Sequence, residues 1–275
     1  MLKFNDIKKL IRSRSLNYTL NSQRGRYSDQ LQKYVWKGHP VFYRAGKADA
    51  GALHEILIRP SRPMRRSGIG SLLGRKLEYW IPPEVNPQVI LDIGGNIGTT
   101  SVYYGHMFPN AKIYSFEPVP DNYEILQKNI AEFPNITGYN VALGKEDTKA
   151  KIYTYSDNDN TGGYSLYDLE VDKDKYQEII IKKTDSYLEE IGVGQVDLIK
   201  IDTEGAEYDI LTSMNPDMLS KVRWIIGELH GERDFELLAY LNQWFSIEMD
   251  KSLRSRLYNF NAVNREFADQ ISWKR

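Results

Sequence analysis

The segment Val89-Ile-Leu-Asp-Ile-Gly-Gly-Asn-Ile-Gly-Thr-Thr carries the first pattern able to do chemistry. An apolar run ends near Asp92, a turn follows with Gly94, Gly95 and Gly98, and a helical pattern opens after it. Glycines let a backbone pass close beneath a ligand, and a helix start offers unpaired N–H groups. A carboxylate at the end of such a run reads as ligand-facing, because a buried charge without a partner is costly. Asn96 stands where the second glycine of a dinucleotide fingerprint would fall, so that fingerprint is not met. An acid ahead of the turn suits a ligand with a cationic group, such as S-adenosylmethionine, better than a pyrophosphate.

Three further clusters lie downstream. Glu117, in Tyr114-Ser-Phe-Glu-Pro-Val-Pro, falls about 20 residues past the turn, where an acid accepts ribose hydroxyls in such folds. Lys200, Asp202, Glu204 and Glu207 gather in Leu198-Ile-Lys-Ile-Asp-Thr-Glu-Gly-Ala-Glu-Tyr. They suit a cofactor amino group, an acceptor hydroxyl or a divalent metal, with Asp202, Glu204 and Glu228 as the oxygen ligands for Mg²⁺. Helix-cap chemistry, with Asp202 or Thr203 capping and Glu207 in the first turn, accounts for Glu207 but not for the whole set. Glu228 and His230 then sit i, i+2 on one strand face. The titration range of His230 suits a general base, with Asp202 the alternative and Glu204 orienting. His39, His54 and His106 read as structural.

These groups need a scaffold. From Val89 onward strands alternate with helices: strands at 89–93, 112–116, 136–143, 196–201 and 222–229, and helices at 97–108, 121–133, 185–191, 206–214 and 235–244. Two late strands follow at 246–250 and 256–260. That order predicts an α/β fold, a mostly parallel sheet with helices on both faces. An insertion at about 150–184 interrupts the rhythm and reads as a hairpin or lid around the polar loop Asp157–Gly163. The domain is expected to span 85–275. Residues 1–84 read as a basic extension: an amphipathic helix over 2–20, a short strand Val41–Arg44, a helix Ala48–Ile58, an Arg/Pro linker Arg59–Gly70 and a short helix Leu72–Trp80.

Composition narrows the field. The chain has 275 residues and no cysteine, which excludes disulfides, thiolate nucleophiles and Cys-based zinc sites. No apolar stretch of about 18 residues is present, so no transmembrane helix is expected. The opening residues lack the apolar core of a secretory signal, and a cytoplasmic location is expected. Residues 1–80 carry a net charge of +12 against −13 for the remainder. Either the extension meets an anionic partner or it packs on its own acidic core. Peripheral membrane contact by the first helix and homo-oligomer formation stay open alongside docking of that helix.

Together, Asp92–Ser101 (DIGGNIGTTS), Phe116–Asn129 (FEPVPDNYEILQKN), Val141–Gly144 (VALG), Thr184–Glu190 (TDSYLEE), Leu198–Leu211 (LIKIDTEGAEYDIL) and Glu228–His230 resemble the FkbM-type S-adenosylmethionine-dependent methyltransferases. The resemblance covers roughly residues 85–245. Gly95 departs from the family's usual Ala. The resemblance implies a class I methyltransferase (Rossmann-like) fold, a seven-stranded sheet with its last strand antiparallel. It implies O-methylation of a hydroxyl on a sugar, glycan or secondary metabolite. It places Asp92, Gly94, Gly95, Asn96 and Gly98 in the cofactor loop, with Thr99 and Thr100 at the methionine end. Glu117 and Pro118 then fall at the ribose, Ala142 near the adenine, and Asp202 between cofactor and acceptor. Arg59, Arg62, Arg65 and Arg66 suit a phosphorylated acceptor. Nucleic acid is the rival anion and is not expected, since the arginine cluster lacks a recognition motif and the catalytic half is acidic. A non-catalytic binding module on the same fold and a nicotinamide-dependent oxidoreductase are the competing classes.

Overall fold

A computed structural model of the chain describes residues 4–22, 28–45, 48–58, 79–155, 164–165, 171–251, 258–268 and 270. These form two compact units that divide between Ile81 and Pro82. The arginine cluster Arg59, Arg62, Arg65 and Arg66, most of the expected helix Leu72–Trp80 and the loop Asp157–Gly163 lie outside the described residues.

The first unit runs α1 (Phe4–Ser13), α2 (Leu16–Asn21), β1 (Ser28–Trp36), β2 (His39–Ala45) and α3 (Ala48–Leu53), ending in a π-helical turn, His54–Ile58. The single helix expected over 2–20 is two helices. Arg14 takes a left-handed φ of 52°, and Ser15 restarts the chain by accepting the Tyr18 N–H. The strand β1 was not anticipated; it pairs antiparallel with β2. Beneath lie Tyr18, Tyr34 and Tyr43, with Tyr18 at 5.5 and 5.8 Å from the other two rings. Asp49 takes both Nε and Nη2 of the buried Arg44 at 2.8 Å.

The second unit continues β3 (Val89–Ile93), α4 (Thr99–Met107), β4 (Lys112–Phe116), α5 (Pro120–Ile130), β5 (Ile136–Tyr139), β6 (Ala142–Gly144) and β7 (Thr148–Tyr155). It then runs β8 (Tyr164–Ser165), β9 (Val171–Lys183), α6 (Thr184–Glu190), β10 (Leu198–Ile201), α7 (Glu207–Thr212), α8 (Pro216–Leu219) and β11 (Trp224–Leu229). The last elements are α9 (Asp234–Leu241), β12 (Phe245–Lys251), β13 (Tyr258–Asn264) and α10 (Arg265–Ala268). Seven strands form one sheet in the order β12-β13-β11-β10-β3-β4-β5. Strands β11, β10, β3, β4 and β5 are parallel, and β13 is antiparallel to both its neighbours. The central strands are apolar runs because both faces are covered; Ile90, Leu91, Ile93, Leu198, Ile199 and Ile201 are all buried.

A third strand expected over 136–143 is two strands in two sheets. The chain breaks at Asn140, whose side-chain amide donates to the carbonyls of Glu117 and Pro118. Beyond it β6 joins a separate four-stranded sheet, β6-β9-β7-β8, in which β7 and β9 run antiparallel. Helix α4 starts two residues later than expected, because Gly98 is its N-cap with φ 83°. At the other end of the main sheet, Asp197 sets where β3 begins. Its Oδ2 accepts the N–H groups of Gln88 and Val89 at 2.8 and 3.0 Å, while Oδ1 meets Arg223 at 3.3 Å. Asp197→Ala therefore orphans two backbone donors and should cost about 1–3 kcal/mol in urea unfolding, with the fold retained.

Candidate active site

The parallel register aligns polar side chains that the sequence separates widely. Asp92 on β3 stands opposite Ser115 on β4 and Lys200 on β10. Side chains of one register rank share a face, so an acid, a base and a hydroxyl meet inside the sheet's cover. Asp92 is 0% exposed. Its Oδ2 accepts Ser101 Oγ at 2.5 Å from α4, and its Oδ1 lies 3.3 Å from Lys200 Nζ. Asp92, expected to face a ligand, is buried and paired with Lys200. Desolvation works against the Lys200 ammonium, but Asp92 foremost among the surrounding acids more than compensates and holds its pKa above the ordinary value.

Lys200 also donates to the Gly94 carbonyl at 2.5 Å. The buried pair thus ties the glycine turn to β10. Gly94 has φ 77°, and a Cβ there would fall 1.8 Å from the Asp202 carbonyl oxygen. Only glycine lets these two strand ends touch. A Cβ at Gly95 would meet Ser115 Oγ at 2.4 Å, which accounts for glycine where the resembled family usually has Ala. Gly98 and Asn96 complete the turn, both with left-handed φ. Thr99 and Thr100 open α4 and are buried.

Glu117 follows the end of β4 and is also buried. Its Oε2 accepts the Asn96 N–H at 2.8 Å, while its Oε1 accepts the Val119 N–H at 2.9 Å and the Asn122 amide at 3.4 Å. Burial pushes its carboxyl up to about 7, against the pull of those donors and of Lys200. Pro118 and Asn140 hold the next turn, and Ala142 opens β6 beyond it.

Past the glycine turn lies the second cluster. Glu228 Oε2, Asp202 Oδ1 and Glu204 Oε2 stand 3.3, 3.8 and 3.9 Å from His230 Nε2. Glu207 Oε1 meets Nδ1 at 3.3 Å from behind. Desolvation opposes charge on this imidazole, yet the acids around it, Glu207 and Glu228 first, raise its pKa to about 11. That surrounding charge favours the protonated imidazole over the proton-accepting form expected of a general base. Burial, aided by Asp202, Glu228 and Glu207, raises Glu204 to about 7 although His230 pulls it down. Glu204 also takes an uncommon left-handed φ of 57°, followed by Gly205 at 115°. Glu207 stands in the first turn of α7, as expected, and its Oε1 accepts the N–H groups of Thr203 and Gly205 in the loop before the helix. Its second role, on His230, went unread; so did those of Ser101 and Ser115. For Ser115, its position in an otherwise apolar strand was the available signal.

The expected site residues therefore fall in one stretch of the sheet's carboxyl edge, in two adjoining groups. Asp92, Gly94, Gly95, Asn96, Gly98, Thr99, Thr100 and Glu117 build the turn and its support. Asp202 joins it, through its backbone, to Glu204, Glu207, Glu228 and His230. Pro118 and Ala142 flank the Glu117 side. Buried Asn96 Oδ1 has no hydrogen-bond partner among the described residues. With the open first turn of α4 beside it, this polar cradle fits a ligand bearing hydroxyl and amino groups.

A parallel sheet of this order, with the final strand inserted antiparallel beside β11, defines a class I methyltransferase fold. The chain belongs to the FkbM methyltransferase family, whose model, the methyltransferase FkbM domain, matches residues 92–260. The chain is similar to the AMB antimetabolite synthetase AmbE of Pseudomonas aeruginosa, 26% identical over an alignment of 243 positions that covers 70% of this chain and 11% of that protein. It resembles Methyltransferase 1 of Beauveria bassiana, 26% identical over 170 residues, covering 55% of this chain and 68% of that one. The 2-O-methyltransferase NoeI of Sinorhizobium fredii is 23% identical over 160 residues, 54% of this chain and 65% of its own. The chain thus spans about a tenth of the first of these relatives and about two thirds of the other two. Among the described residues no helix is long and apolar enough to cross a membrane.

Two measurements check the electrostatics. Asp92→Asn leaves Lys200 buried without its anion and should cost about 3–5 kcal/mol in denaturant unfolding. Adding Lys200→Met should recover most of that loss. Glu117, with its folded pKa above the unfolded value, adds stability that is full below about 4.5 and is lost as pH rises through about 7. The melting-temperature gap between wild type and Glu117→Gln should therefore narrow from pH 5 to pH 8.

Proposed function

We propose that the chain is an S-adenosylmethionine-dependent O-methyltransferase acting on a hydroxyl of a sugar, glycan or secondary metabolite. The observation that carries this reading is the contact of Gly94 with Asp202. It sets a cradle for a nucleoside-bearing ligand directly beside a ring of carboxylates. Family membership supports methyl transfer, and the name of NoeI supports an oxygen acceptor. When bound, S-adenosylmethionine supplies an electrophilic methyl group on a sulfonium, with a neutral thioether as leaving group.

The protein's part is alignment and proton handling. Glu117 has a lone pair beyond its three protein donors and takes a ribose hydroxyl. The glycine turn keeps side chains out of the ligand's path, and the first turn of α4 presents its N–H groups. Asp202 spans both groups, so its carboxylate faces the donor's cationic end while its neighbours face the acceptor. Glu204, the most exposed acid of the ring at 36% of its side chain, is the group placed to take the acceptor's proton. His230 holds the acids in place rather than taking the proton. Holding reactants in line is worth about 7–11 kcal/mol, and a placed proton acceptor adds about 10²–10⁴-fold.

The test is titration calorimetry with S-adenosylmethionine and S-adenosylhomocysteine, followed by turnover on a panel of hydroxylated glycans, phosphorylated and not. Binding is expected, and Glu117→Ala should weaken it about tenfold or more, the worth of hydrogen bonds to a charged group. Glu204→Gln should lower turnover by about 10²–10⁴-fold with donor affinity unchanged. No heat with either ligand would overturn the reading.

A further inference from the structure

We propose that Asp202, Glu228 and His230 form a divalent-cation site, with Glu207 as the carboxylate that orients His230. One ligand atom from each of the three lies within 4.8 Å of the others, a spacing that a single ion bridges. The residues come from adjacent strand ends, Asp202 directly after β10 and Glu228 and His230 at the end of β11. The His230 side chain is only 6% exposed, and its Nε2 points at three carboxylates. A single Nε2–H donates well to one oxygen; a cation coordinates several at once.

A second observation comes from behind the histidine. Glu207 is 1% exposed, and its Oε2 has no hydrogen-bond partner among the described residues. Its Oε1 receives Thr203, Gly205 and His230 Nδ1. This is the arrangement in which a carboxylate holds the far nitrogen of a metal-bound imidazole. The excess negative charge buried around one histidine is also what a dication offsets. When the ion binds, it takes the place of the proton on Nε2. Mixed imidazole and carboxylate ligands suit Mn²⁺, Fe²⁺ or Zn²⁺ better than Mg²⁺. The sequence pattern alone had placed Glu204, not His230, in such a set. With Glu204 outside the ligand set, it is left to accept a proton.

The role assigned to the ion rests on the methyl-transfer reading. Held by Asp202, Glu228 and His230, the cation would make an acceptor hydroxyl more acidic, and Glu204 would take its proton.

The test uses the full chain, freed of metal by chelator and titrated with Mn²⁺ alone. Free Mn²⁺ is followed by electron paramagnetic resonance. One bound ion per chain is expected. Glu228→Gln and His230→Gln should each weaken binding at least about tenfold, and Glu207→Gln by about 10–100-fold. Circular dichroism melts identify any variant that fails to fold, and the remaining variants then decide. The proposal is overturned if the folded wild type binds no Mn²⁺ up to about millimolar concentration. It is also overturned if folded variants bind as wild type does. S-adenosylhomocysteine binding, measured on the same samples, separates the two readings. Nucleoside binding without metal uptake removes the cation site alone, and metal uptake without nucleoside binding removes the methyl-donor reading alone.

Discussion

The buried ion pair of Asp92 and Lys200 is the interaction on which the site depends. Both side chains lie inside the cover of the sheet, on adjacent parallel strands. A pair in that position contributes little net stability compared with apolar residues of the same volume, but breaking it is expensive. Its value here is positional. The ammonium reaches past Asp92 to the Gly94 carbonyl, while Ser101 brings the start of α4 onto the same carboxylate. Strand β3, strand β10, the glycine turn and the following helix are thereby fixed to one another by one pair of charges.

Everything at the carboxyl edge follows from that fixing. Once the turn is held against β10, Gly94 has to lack a side chain, because the Asp202 carbonyl occupies its place. Glu117 then reaches the Asn96 N–H from β4 and closes the turn from the other side. The same close approach brings the carboxylates of β10 and β11 alongside the cradle. Four acids converge on His230 and hold its pKa above the ordinary imidazole value. Electrostatic character at this edge is a property of the assembly and of no single residue.

Much of the scaffold was legible beforehand. The apolar runs of β3 and β10, the glycines after Asp92 and the prolines after Glu117 each encode a local outcome, a buried strand or a stop. The polar ranks were not. Asp92 finds Lys200 only through strand register, and the two lie more than 100 residues apart. His230 looked like a base because its ordinary pKa suits one, and only the folded chain brings Asp202, Glu204 and Glu207 around it. Strand β1 was missed because Ser28-Asp-Gln-Leu-Gln-Lys is mostly polar and pairs with a single partner, β2. The break at Asn140 depends on its side-chain amide bonding the carbonyls of Glu117 and Pro118, which the letters from Ile136 to Leu143 alone do not reveal.

The central claim is that the edge formed by Gly94, Glu117 and Asp202 is shaped for a methyl donor. A crystal structure with S-adenosylhomocysteine tests it most directly. The account predicts the pentose hydroxyls within hydrogen-bond distance of Glu117, the amino-acid end toward Asp202, and the Lys200 contact to Gly94 intact. The nucleoside seated elsewhere, or a turn that must leave Lys200 to admit it, would contradict the account.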